Sequence, residues 1–164
     1  MGRTKAFAAR VAIVIAMLLG ASLATTTPAS AATVTWGWGD NPMLCATSSS
    51  CVKTGNTVRM WQSLLYAEGL YSDVDGVFGP NTAAATVQWQ RNHGLGNDAD
   101  GWVGPNTWNK AHSWVTVADP SEQDSGTFYH FYRGTRLVLL LHQGVTGVWE
   151  FKRDVDGGWY TATY

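Results

Sequence analysis

The octapeptide Asp75-Gly76-Val77-Phe78-Gly79-Pro80-Asn81-Thr82 returns 25 residues later as Asp100-Gly101-Trp102-Val103-Gly104-Pro105-Asn106-Thr107. Six of the eight positions are identical and the other two stay apolar, so the chain holds two copies of one supersecondary unit. Each part of the unit has a mechanical meaning. Asp-Gly makes a tight turn, because Gly accepts positive φ and Asp can bond the backbone ahead of it. The apolar pair anchors the loop to a core. Gly-Pro follows, and Pro at the first helical position has the right φ and needs no hydrogen-bond acceptor. Two loops of one shape are expected, each launching a helix.

Residues 1–31 read as a targeting segment rather than as part of the fold. Arg3, Lys5 and Arg10 make a basic start, and Val11 to Ala24 is apolar apart from Gly20 and Ser22. Ala29-Ser30-Ala31 then offers a small-x-small cleavage site, the pattern of a secretory signal peptide. The apolar run is short for a membrane span of about 20 residues. The mature product is expected to begin at Ala32, to be soluble, and to lie outside the cell or at its wall. Cleavage removes three of the 11 basic residues and none of the 12 acidic ones, leaving a net charge of −4. With no basic stripe, nucleic acid and anionic membrane surfaces are poor partners. In an oxidising compartment Cys45 and Cys51, the only cysteines, are expected to form a disulfide closing a small loop.

The mature part divides in three. Residues 32–54 lack helical period and read as an irregular arm tied down by the disulfide, with Trp36 and Trp38 expected to pack inward. Residues 55–112 read as helical. Val58, Trp61, Leu64, Leu65 and Ala67 follow helical spacing, with Asn56 or Thr57 as the cap and Gly69 as the stop. A second helix is expected from Pro80 to about Asn92 with Ala85, Trp89, Thr82 and Thr86 on one face. A short third helix starts at Pro105 and carries Trp108 inward. Residues 113–124 read as a linker, and residues 125–164 as a four-stranded antiparallel meander of aromatic and aliphatic runs broken by Gly-containing turns. The fold class is therefore α+β: a small three-helix bundle followed by a small β-meander, the two packed together because about 40 residues is marginal alone.

The middle segment resembles the peptidoglycan-binding domain family of secreted bacterial cell-wall proteins. The residues that carry the resemblance are Gly55, Val58, Trp61-Gln62, Leu65 and Gly69. Asp75-Gly76-x-Phe78-Gly79-x-x-Thr82 comes next, then Ala85, Trp89-Gln90 and Gly94-Leu95. Asp100-Gly101-x-Val103-Gly104-x-x-Thr107-Trp108 closes the pattern. Trp89 stands where the family usually has Phe. The resemblance covers residues 55–112 and implies a three-helix fold that binds peptidoglycan, through its glycan or its stem peptide, without covalent chemistry.

The chemistry-bearing residues point the same way. His93, His112, His130 and His142 fall in no metal spacing, and His93 and His112 have capping roles as their ordinary explanation. Glycan hydrolysis needs two flanking carboxylates. Asp73 with Asp75, and Asp98 with Asp100, sit in turns that explain them. The calcium-loop opening at Asp73 and Asp98 fails at later positions, where Val77, Trp102, Ala84 and Asn109 replace ligands. No catalytic residue, metal or cofactor is assigned, and the chain is expected not to be an enzyme. Candidate ligand-binding residues are those near the loops and free of packing duty: Tyr71, Asp73, Asn81, Asn97, Trp102 and Asn106. Helix-start hydrogen bonding is an equal explanation for Asn81 and Asn106. Trp102 is the sharpest candidate, since Val77 is its smaller counterpart. The competing explanation is a bulk exchange with its neighbour, where Phe78 becomes Val103. Two other functions stay open: a small wall hydrolase or amidase using His130, His142 and a carboxylate, and an extracellular protein-interaction module using the aromatic strand from Phe128 to Tyr132.

Overall fold

The computed structural model describes residues 37–71, 73–118, 127–144, 147–153 and 156–162. The expected signal peptide, Trp36 and residues 119–124 of the expected linker lie outside them. Three α-helices come first: α1 (Asn56–Ala67), α2 (Pro80–Asn92) and α3 (Pro105–His112). Pro80 and Pro105 each occupy the first helical position, behind Gly79 and Gly104 in extended backbone. The cap of α1 differs from expectation. Gly55, at φ 114°, is the N-cap, while Asn56 turns its side-chain oxygen to accept a hydrogen bond from Arg59 Nη1 at 3.0 Å. Both α1 and α2 end in the same motif. Gly69 and Gly94 take positive φ, and Leu70 N–H and Leu95 N–H reach back to the carbonyls of Leu65 and Gln90.

Five strands follow among the described residues: β1 (Val115–Val117), β2 (Thr127–Arg133), β3 (Val138–Gly144), β4 (Trp149–Lys152) and β5 (Trp159–Thr161). They form an antiparallel meander in sequence order. The four expected strands are present, and the fifth, β1, comes from residues expected to be linker. It pairs Thr116 with Phe131 and so covers the edge that β2 would otherwise expose.

Strand alternation sends Tyr132, Leu139, Leu141, Trp149 and Phe151 into the same buried cluster as Trp61, Leu64, Trp89 and Trp108 of the helices. Sheet and bundle therefore share one core. Trp38 from the arm joins it, edge-on to Trp108 and Trp149 and stacked on His112 at 5.3 Å. At the seam, Trp89 Nε1 donates to Tyr132 Oη at 2.9 Å, and Tyr132 Oη–H donates to Glu68 Oε1 at 2.6 Å. Burial, then the neighbouring Glu68, push the Tyr132 phenol pKa up, so it stays a neutral donor.

Candidate functional site

The two repeated loops are held by two buried glutamines. Gln62 of α1 donates through Nε2 to Asp75 Oδ1 at 2.8 Å, to the Val77 carbonyl at 3.1 Å and to Thr82 Oγ1 at 3.2 Å, while its Oε1 accepts from Gly76 N–H at 2.7 Å. Gln90 of α2 repeats the pattern in the second loop. Its Nε2 reaches Asp100 Oδ1, the Trp102 carbonyl and Thr107 Oγ1, and its Oε1 accepts from Gly101 N–H at 2.9 Å. The Asp of each loop also accepts from the N–H two residues on, Val77 or Trp102. Burial works against the Asp75 carboxylate, but the bonds from Val77 and Gln62 and the nearby Arg59 guanidinium hold its pKa below the usual range. Asp, Gly and Thr of the repeat thus serve fold geometry.

Between the loops runs the disulfide-closed arm. Cys45 and Cys51 are bonded with Cα atoms 5.5 Å apart. Leu44 exchanges two backbone hydrogen bonds with Val103 of the second loop, and Lys53 accepts from Phe78 N–H of the first. This clip orients the loop side chains. Phe78 and Val103 turn into the core, and Val77 and Trp102 turn away from it. The bulk-exchange explanation of Trp102 therefore does not describe this loop, since the adjacent positions point to opposite sides.

Of the six candidate residues, the structure gathers two at one depression. Trp102 and Asn106 line a cavity of about 300 Å³ with Met43, Asp98, Asp100 and Thr107. Asn106 Nδ2 donates to Asp98 Oδ2 at 2.9 Å. Its bond is to the loop, so helix-start bonding does not account for it. Asn97 does not line this cavity; it precedes Asp98 in the chain and is exposed in a short 3-10 turn at Gly96–Asp98. Tyr71, Asp73 and Asn81 belong to the first loop. Asp73 and Asn81 are exposed, and Tyr71 Oη accepts from Thr82 Oγ1 at 3.1 Å. A depression of about 320 Å³, lined in part by Leu137, Val138, Lys152 and Arg153, lies at the sheet and contains none of the motif residues.

The histidines separate. His93 is the C-cap residue of α2, with Nδ1 bonded to the Trp89 carbonyl at 2.9 Å and Nε2 3.4 Å from Glu68. His112 is the last residue of α3 and stacks on Trp38. His130 pairs with Leu141, and His142 with Tyr129. The register thus sends His130 and His142 to opposite faces of the sheet, and the shared site imagined for a hydrolase does not form. His142 meets Glu150 instead.

The residues that sequence reasoning left without a role are Gln62 and Gln90. Their signal was the Trp-Gln pair repeated in α1 and α2.

No curated protein and no solved structure matches this chain. Residues 54–110 match the family model described as "Putative peptidoglycan binding domain", which spans α1, α2, most of α3 and both repeated loops. Over that segment the chain is similar to this family of peptidoglycan-binding domains.

Proposed function

We propose that this is a secreted, non-catalytic peptidoglycan-binding protein. Its helical module holds glycan or stem peptide at the cavity beside the second loop, with Trp102 as the contact face and Asn106 and Asn97 as polar partners. The observation that carries the reading is the outward Trp102, held in place by the Gln90 network within a peptidoglycan-binding domain. Tyr71, Asp73 and Asn81 would supply weaker contacts at the first loop. Secretion rests on the basic start, apolar run and Ala29-Ser30-Ala31 site of the leader.

Cosedimentation with purified sacculi tests this. At micromolar protein and moderate salt, part of the protein is expected in the pellet. Recovery of all of it in the supernatant would end the proposal. Trp102→Ala is expected to lower the pelleted fraction without lowering the melting temperature. Unchanged retention would remove the second loop from the site. A zymogram against cell walls tests the non-catalytic part, and clearing by the purified chain would overturn it.

A further inference from the structure

The outer face of the sheet carries a second constellation, on different elements from the loop cavity. Tyr129, His142, Glu150 and Thr161 stand directly opposite one another in successive strands, forming one row across β2 to β5. Trp159 lies two residues before Thr161, on the same face. Its indole stacks on the His142 ring at 4.4 Å and 16°, and the Tyr129 ring stands edge-on to His142 at 5.9 Å. Trp159, Tyr129 and His142 all lie outside the core cluster, so folding does not account for them by burial. Trp159 remains 39% exposed with one face already on His142, which leaves the other face towards solvent.

Polar groups frame this platform. Glu150 Oε2 contacts His142 Nε2, and Glu150 Oε1 accepts from Thr161 Oγ1 at 2.9 Å. Lys152 stands directly opposite Trp159 in the register of β4 and β5, two residues from Glu150 and on the same face. Glu150 and Lys152 bring one negative and one positive charge to this face of β4, which disfavours a strongly charged ligand. The row is too narrow and too interrupted by charge for a broad apolar partner. A pyranose ring fits both features. Its axial C–H groups present an apolar, weakly positive face to the electron-rich indole, and its equatorial hydroxyls can donate to Glu150 and accept from Lys152.

We infer that Trp159, backed by His142 and Tyr129, is the stacking platform of a second binding site that takes a neutral pyranose glycan. The chain would then hold wall material at two places, and modest affinities would combine through effective concentration.

The probe is chitohexaose, a soluble neutral β-1,4-linked oligomer, titrated calorimetrically into the full chain. Binding in the millimolar range or tighter is expected. Trp159→Ala is expected to weaken it at least about tenfold, equivalent to about 1.4 kcal/mol. Trp159→Tyr keeps an aromatic face and is expected to retain most of the affinity. Melting temperature and near-ultraviolet circular dichroism establish that each variant is folded. If Trp159→Ala fails to fold, loss by Trp159→Thr and retention by Trp159→Tyr carry the same comparison. No binding by the wild-type chain, or equal binding by the folded alanine or threonine variant, would overturn the inference.

Discussion

A primary amide can accept a hydrogen bond at one atom and donate two from its neighbour, and Gln62 and Gln90 exploit that at the centre of each repeated loop. Both side chains are fully buried. Replacing Gln90 by Ala leaves Gly101 N–H without its partner, takes the shorter of two hydrogen bonds from the Trp102 carbonyl and opens a void under the loop. An unsatisfied buried group costs about 1–3 kcal/mol, so Gln90→Ala is expected to lower unfolding free energy by about 2–4 kcal/mol in urea. A loss below about 1 kcal/mol would mean that water substitutes for the amide. The Asp, Gly and Pro of the repeat were legible from sequence because each acts on its own backbone or its neighbour's. The glutamines were not, because their partners lie 10 to 20 residues away along the chain and no local rule connects them. Trp102 lay between these cases. Its exposure depends on the loop backbone alternating like a strand, which the Leu44 pairing imposes from elsewhere in the chain.

The arm and the strand turns act as connectors between elements, and their roles depend on contact rather than on propensity. The disulfide closes a short loop, for which chain-entropy arguments give about 2 kcal/mol. Its larger effect is expected to be local, because Leu44 and Lys53 flank the bridge and bond the two repeated loops. In a Cys45→Ser, Cys51→Ser variant, amide exchange should accelerate at Phe78 and Val103 more than at Trp149 in the sheet. Uniform acceleration would show that the bridge stabilises the whole fold equally. The turn between β2 and β3 is a tighter joint. Ala67 O accepts from both Arg136 N–H and Leu137 N–H, and a Cβ on Gly134 would overlap the Ala67 carbonyl. Gly134→Ala is therefore expected to cost about 1–3 kcal/mol, read as a lowered urea midpoint. β1 could not be read from sequence for a similar reason. Val115–Val117 is too short to display a period, and the free edge of β2 makes it a strand.

At the scale of the molecule, arm, bundle and sheet meet at a nest of rings. Trp149 of β4 lies 4.7 Å from His130 of β2, 6.0 Å from His112 of α3 and 5.5 Å from Trp38 of the arm. Burial lowers the pKa of His112 from its ordinary 6.5, and burial together with the proximity of His112 lowers that of His130. The unfolded chain therefore takes up these protons first. Their neutral forms favour the fold above about pH 6.5, and that contribution falls as pH drops below it. Carboxylates such as Asp75, with its depressed pKa, lose their contribution only at much lower pH, so the two ranges are separable. Urea midpoints are expected to decline from about pH 7 to about pH 5. His130→Gln keeps a polar side chain but cannot titrate, and its decline over that window should be shallower. An equal slope in both proteins would show that the junction does not sense protons. A shallower slope would locate the acid-sensitive joint between sheet and helices, where release would part the two proposed binding faces.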